Sequence, residues 1–295
     1  MREDFGRSPA LDPTVADPYA QRTFMHVVWF LPIGFFIGTY GTLIGAGGGF
    51  ILVPLLLLLY PNESPSLVTA TSLSVVFVNS LSGSIAYARA RRIGWKTGLL
   101  FALATIPGAL AGSFIVKFIP RAVFGDAFGC LLILVSLYLF ISGGRRPAPR
   151  AGTGDPVRIV DLVTDATGAT FPLTYSLPLG LSLSLAIGFF SSLAGIGGGV
   201  IHVPVMTSLL FFPVHVAIAT SQFILIFTSL AGVLMHLADG TYTPDLPRLA
   251  FLSAGVVAGA QVGARLSRRL AGPWIVRMLA LALLFAGGRL LWAML

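Results

Sequence analysis

Two glycine runs carry the most pointed chemistry in this chain. Gly45-Ala46-Gly47-Gly48-Gly49, followed by Pro54, recurs as Gly195-Ile196-Gly197-Gly198-Gly199 followed by Pro204, an offset of 150 residues. Glycine has no side chain, so such a run breaks a helix and lets another backbone or a ligand come close. Each run immediately precedes an apolar segment, which leaves the first-turn N–H groups of that segment unpaired and pointing toward the break. Helix starts attract anions, by about 0.3 to 1 kcal/mol and up to about 2 kcal/mol when partly buried. That does not offset removing an anion from water, so further donors are needed. Ser72 and Asn79, seven residues apart, share a helix face with Gly83, and Ser221 and Thr228 with Gly232 repeat the arrangement. Thr71, Thr220 and Gln222 adjoin them.

The candidate substrate-binding set is therefore Gly45, Gly47, Gly48, Gly49, Thr71, Ser72 and Asn79, with Gly195, Gly197, Gly198, Gly199, Thr220, Ser221, Gln222 and Thr228. The competing reading is that these small and hydroxylic residues only let helices approach and bond across an interface, which is common in membranes. His202 stands where the first half has Leu52 and is a candidate proton-coupling group. Its plainer reading is a neutral, hydrogen-bonded histidine. No carboxylate lies among the 73 residues between Asp165 and Asp239, and neither an H-E-x-x-H pattern nor a proteolytic triad occurs, so the chain does not read as an enzyme. It has no G-x-x-x-x-G-K-[ST] loop and a single cysteine, Cys130, so no metal site, cofactor or nucleotide is expected. A transport cycle would draw on an ion gradient, the membrane potential, the substrate's own gradient or an ATPase partner.

The elements that must position these groups are membrane spans. Apolar residues make up 56% of the chain, charged residues 10%, and the mean hydropathy is +0.89, far from a soluble domain. A span needs about 20 apolar residues, and the 73-residue uncharged stretch alone holds about three crossings. Ten apolar segments are expected: Phe24 to Ile44, Gly48 to Tyr60, Leu67 to Ala88, Trp95 to Phe118, Val123 to Ile141, then Leu173 to Leu193, Gly198 to Phe211, Val214 to Leu237, Leu246 to Leu266 and Trp274 to Trp292. The fold class is an all-α polytopic membrane protein of two repeats, residues 24–141 and 173–295, joined by a polar cytoplasmic linker, 142–172, in which no folded domain is expected. Residues 1–23 read as a polar tail and not as a cleaved signal. Further ordered matches support the repeat: Ala70-Thr71-Ser72 with Ala219-Thr220-Ser221, Leu81 and Gly83 with Leu230 and Gly232, and Gly108 and Gly112 with Gly259 and Gly263.

Basic residues set the orientation. Arg89, Arg91, Arg92 and Lys96 mark one loop as cytoplasmic, Arg145, Arg146, Arg150 and Arg158 the linker, and Arg265, Arg268 and Arg269 a later loop. The +8 charge follows this tendency, and no nucleic-acid partner is expected. Five segments per half is an odd number, so the halves have opposite orientation and both termini fall outside: an inverted repeat. The second segment of each half is short enough to pair with the first as a re-entrant hairpin, giving six crossings where ten would otherwise stand. Inverted repeats place a substrate near the midplane, at interrupted helices, and rock one element against another.

G-x-G-G-G-x-x-x-V-P at the head of each half, each followed by an A-T-S helix, resembles the TauE/SafE sulfite-exporter family across roughly Gly34 to Leu291. The resemblance implies a multi-pass inner-membrane carrier, with an exporter's direction, for a small sulfur-containing anion such as sulfite or a sulfonate. It assigns the two motifs to Gly45, Gly47, Gly48, Gly49, Pro54 and to Gly195, Gly197, Gly198, Gly199, Pro204. The expected partners are that small anion and the lipid bilayer, with a homo-oligomer left open. The rival classes are a non-transporting membrane scaffold or assembly factor and a channel.

Overall fold

The computed structural model describes residues 28–142, 158–242 and 245–294. The N-terminal tail and the first part of the linker lie outside these residues. The described chain forms ten α-helices, a short 3-10 helix at Val116–Phe118 and one β-hairpin. The helices are α1 Phe30–Ile44, α2 Gly49–Leu59, α3 Pro65–Arg89, α4 Trp95–Ile115, α5 Arg121–Ser142, α6 Leu177–Leu193, α7 Gly199–Ser208, α8 Val214–Ala238, α9 Leu246–Ser267 and α10 Gly272–Met294. The strands are β1 Arg158–Thr164 and β2 Thr170–Ser176. Six helices, α3 to α5 and α8 to α10, are long and apolar enough to cross a membrane.

Local chemistry sets several boundaries. The Ser64 hydroxyl accepts from the Leu67 amide at 3.2 Å with Pro65 opening α3, and the Asp245 carboxylate accepts from the Arg248 amide at 3.2 Å at the start of α9. Both satisfy a donor that a helix start otherwise leaves unpaired.

α1 and α2 do not cross separately. At 11 and 10 residues, α2 and α7 are about 15 to 16 Å long, half of a hydrocarbon core. α1 runs parallel to α9, Gly34 and Gly38 abutting the backbones of Leu252 and Val256, so α1 starts at the same end of the bundle as α9. The loop after α2 returns to that end, where Glu63 pairs with Arg248 at 2.7 Å. The second half does the same from the opposite end. α6 runs parallel to α4, Gly108 and Gly112 abutting the Leu185 and Phe189 backbones, while the ring of Phe212, just after α7, packs at a tilt of 60° against that of Tyr175, just before α6, with centroids 5.4 Å apart. α1–α2 and α6–α7 thus each double back as helical hairpins from opposite ends of the helix bundle, their tips meeting in its interior.

Exchanging each helix of one half for its counterpart preserves the main packings: α1 on α9 corresponds to α6 on α4, α3 on α9 to α8 on α4, while α3 on α8 and α5 on α10 map onto themselves. The paired glycines of the third set of matches are explained by this packing. Gly108, Gly112, Gly259 and Gly263 each meet a neighbouring helix backbone so closely that no Cβ would fit, the small-residue contact that dispersion forces use in lipid.

The linker contains one element that the sequence reading did not foresee. β1 and β2 pair antiparallel from Arg158↔Ser176 to Thr164↔Thr170. This hairpin is pinned to the α3–α4 loop: Asp165 pairs with Arg92 at 3.5 Å, the Ala166 amide donates to the Ala90 carbonyl at 3.1 Å, and Thr97 donates to Asp161 at 3.1 Å. The side-chain hydroxyl of Thr167, then backbone amides and Arg92, hold the Asp165 carboxyl below the usual carboxylate range against the opposing effect of burial. Burial pushes the Tyr175 phenol up.

Candidate functional site

The two glycine breaks form the tips of the helical hairpins. Gly45, Gly47 and Gly48 take φ of 78°, 74° and 86°, and Gly195, Gly197 and Gly198 take 72°, 74° and 112°. Any side chain would be strained there. The Ala46 and Gly47 amides both donate to the Gly41 carbonyl, at 2.8 and 3.1 Å, and the Ile196 amide donates to the Ser191 carbonyl at 2.9 Å. Beyond them, the N–H groups of Gly48, Gly49 and Phe50, and of Gly198, Gly199 and Val200, are buried and have no acceptor among the described residues. These are the orphan donors that a helix start leaves, at two facing tips.

The tips touch. A Cβ on Gly49 would stand 2.8 Å from the Gly195 carbonyl oxygen, and one on Gly199 would stand 2.6 Å from Ala46 Cα. Beneath the contact lie Val76 of α3 and Leu225 of α8, each within van der Waals reach of both Gly47 and Gly197. The hydroxyl of each A-T-S serine crosses to the other half: Ser72 donates to the Gly195 carbonyl at 2.7 Å, and Ser221 to the Gly45 carbonyl at 3.0 Å. Each half thus holds the other's tip.

The remaining predicted residues divide. Asn79 donates to the Gly47 carbonyl at 3.1 Å and accepts from Thr42 at 3.1 Å; Gln222 donates to the Gly41 carbonyl at 3.2 Å. Both therefore stand at the first tip. Thr71 and Thr220 do not reach the breaks: Thr71 faces the Tyr242 hydroxyl, and Thr220 accepts from the Gly94 amide at 3.0 Å beside the α3–α4 loop. Thr228 donates to Thr105 of α4 at 2.9 Å. In this structure Ser72, Ser221 and Thr228 thus bond to other elements, while the Thr71 hydroxyl completes no hydrogen bond of good geometry.

Two serines that sequence reasoning passed over, together with the His202 it named, also surround the tips. Ser80 Oγ, buried and without a partner, lies 3.6 Å from the Cβ position of Gly47. Ser191 Oγ, equally unpartnered, lies 3.3 Å from that of Gly198. His202 is 1% exposed, packs its ring against the Gly198 position, and completes no hydrogen bond of good geometry at either ring nitrogen. Ser80 follows Asn79 directly and Ser191 lies four residues before the second run, so proximity to the motifs was the available signal.

The sulfite exporter TauE/SafE family model matches residues 30–290, nearly all of the described chain. The chain belongs to this family. It is 32% identical over 274 residues to the probable membrane transporter protein YunE of Bacillus subtilis, covering 91% of this chain and 98% of that one. It is 27% identical over 214 residues to a probable membrane transporter protein of Methanocaldococcus jannaschii, covering 71% of this chain and 72% of that one. The probable membrane transporter protein y4hK of Sinorhizobium fredii is 26% identical over 230 residues, 78% of this chain and 84% of that one. No solved structure matches the chain. The chain is thus a multi-pass membrane protein of a transporter family.

Proposed function

We propose that this protein is a secondary transporter that exports a small anion, sulfite or an organosulfur anion such as a sulfonate, by alternating access across the two glycine-tipped hairpins. The family name carries the substrate class. The observation that carries the location is the pair of facing tips, each presenting three buried, unpaired amide N–H groups. Two helix starts at touching tips attract an anion more than one does, and Ser80, Ser191 and His202 add polar groups that have no other partner.

The conformation described is the closed one. Ser72 and Ser221 lock the opposite tips, Asn79 and Gln222 hold the first, and Val76 and Leu225 fill the space beneath them. In the proposed cycle, separation of the tips frees these four side chains, and the anion takes the place of the carbonyls as their acceptor. Re-entrant hairpins from opposite ends give a simple gate: moving one exposes the site to one side, moving the other to the opposite side. On this reading the linker end, with Arg89, Arg92, Arg265 and Arg268, is cytoplasmic, the carrier resides in the plasma (inner) membrane, and both termini lie outside. His202, present in one hairpin and replaced by Leu52 in the other, is the proposed proton-coupling group.

Thermal denaturation of the purified protein against sulfite, sulfate, thiosulfate, sulfoacetate and chloride tests this. A ligand bound only by the folded state stabilises it by about 2.7 kcal/mol at a hundredfold excess over Kd. A selective shift with a sulfur oxyanion, lost in Ser72→Ala and Ser221→Ala, is expected. Equal responses to all five anions, or none, would contradict the substrate class.

A further inference from the structure

At the linker end, between the last turns of α3 and α9, lies a cavity of about 240 Å³. Arg89 of α3, Arg265 of α9 and Arg268, the residue just after α9, form its rim, and Gln261 its wall. The cavity exists because its floor is made of alanines: Ala86 and Ala264 end in methyl groups where longer side chains would fill the groove. None of the three arginines has a carboxylate within ion-pairing distance among the described residues, although Arg92 nearby pairs with Asp165. Gln261 is fixed by donating to the carbonyl and the hydroxyl of Ser82, both at 2.9 Å, so the wall is rigid.

Three exposed arginines lining one hollow concentrate positive charge that an anion would offset, and guanidinium is the group that matches tetrahedral oxyanions in a planar, two-pronged geometry. The source of that anion is indicated by the apolar side chains beside the cavity on the same two helices. Leu81 and Ile85 lie two turns and one turn before Arg89 on the same face of α3, 44% and 46% exposed. Val262 and Leu266 flank Arg265 on α9, each 39% exposed. A basic hollow at the end of a helix pair, with exposed apolar side chains on the same helices beside it, has the amphipathic order of a phospholipid. The hollow has room for several water-sized groups, which suits a phosphate and its ester oxygens, with the acyl chains outside.

We propose that this cavity binds the phosphate headgroup of an anionic phospholipid, with Arg89, Arg265 and Arg268 as its ligands and the Leu81–Ile85 and Val262–Leu266 faces as the acyl-chain track. The shared chemistry, a phosphate oxyanion, could also come from water, so the test separates the two sources.

The full-length protein is placed in nanodiscs of phosphatidylcholine alone or with phosphatidylglycerol, and melting temperature and retained lipid by native mass spectrometry are read. Phosphatidylglycerol is expected to raise the melting temperature and remain bound, and Arg89→Gln/Arg265→Gln/Arg268→Gln is expected to weaken retention by roughly tenfold to a hundredfold. Ala86→Leu, which fills the floor and keeps every charge, is expected to lose retention too, and serves if the triple variant does not fold. Arg269→Gln, outside the cavity, is expected to change nothing. Equal behaviour in both lipids, or retention unchanged in Ala86→Leu, overturns the proposal. So does inorganic phosphate in phosphatidylcholine discs reproducing the full shift, which would make the site one for a soluble anion.

Discussion

Substituting alanine at Gly199 is the sharpest test of the tip-to-tip contact. A Cβ there would stand 2.6 Å from Ala46 Cα and overlap the Gly45 carbonyl oxygen. Both are backbone atoms, and the Gly45 carbonyl is also held by Ser221 at 3.0 Å, so the neighbour cannot turn aside as a flexible side chain could. Overpacking of this kind costs about 1 to 3 kcal/mol, and a domain of this size loses roughly 2 to 4 °C of melting temperature per kcal/mol. The expected loss is therefore about 2 to 12 °C. Gly288→Ala is the matched control, because a Cβ there meets nothing within 4 Å; it sits inside α10, where alanine is the better helix former by up to about 1 kcal/mol. The assay is thermal denaturation of both variants in one detergent, with anion flux in proteoliposomes. If Gly199→Ala melts with the parent protein and transports at its rate, the tips are not in contact in the resting state and the closed-gate reasoning fails.

Other outcomes follow from single contacts. Ser72→Ala and Ser221→Ala should each destabilise by about 1 to 3 kcal/mol, because each leaves a buried carbonyl without its donor; a double-mutant cycle should give a non-zero coupling, since the two tips abut. Arg248→Met removes the partner of Glu63 at 2.7 Å, with the Arg248 side chain 4% exposed. As that pair is only partly buried, the loss should be on the order of 1 to 3 kcal/mol, between surface and fully buried pairs, read by denaturation. Because the folded-state pKa of Asp165 is depressed, its contribution is present above the unfolded carboxylate value of about 4 and is lost as pH falls through the lower folded value; amide exchange at Ala166 and Ala169 should accelerate in that acid window, and Asp165→Asn should show the fast exchange at neutral pH. His202→Leu, which restores the first half's residue, should flatten the pH dependence of flux while leaving the fold intact; an unchanged pH profile removes the proton role.

The ten helices were legible to within a few residues because uncharged apolar runs bounded by Pro, Gly and charge have few other solutions. α1 differs most, beginning at Phe30 where Phe24 was expected, the residues before 28 lying outside those described. The choice between crossing and doubling back was not legible. It turns on Gly48 approaching Ile37 and on Glu63 meeting Arg248 185 positions away, neither of which leaves a local trace. The β1–β2 hairpin was missed because seven-residue strands set in a Gly/Pro/Arg-rich linker show little alternation, and its anchors, Arg92 and Thr97, belong to another segment. At the site, the motifs identified the right loops. Neither motif nor spacing could tell that Ser72 and Ser221 reach across to the opposite half, or that Thr71 and Thr220 turn away from the breaks.

Counterflow in proteoliposomes addresses the central claim most directly. Vesicles containing the purified protein are loaded with sulfite or sulfoacetate, and the exchange of labelled anion from outside is timed. The account predicts saturable exchange of the sulfur anion, absent in protein-free vesicles and strongly reduced in Gly199→Ala and Ser72→Ala/Ser221→Ala. Exchange at the protein-free rate with every anion tried, or full exchange in the tip variants, would contradict it.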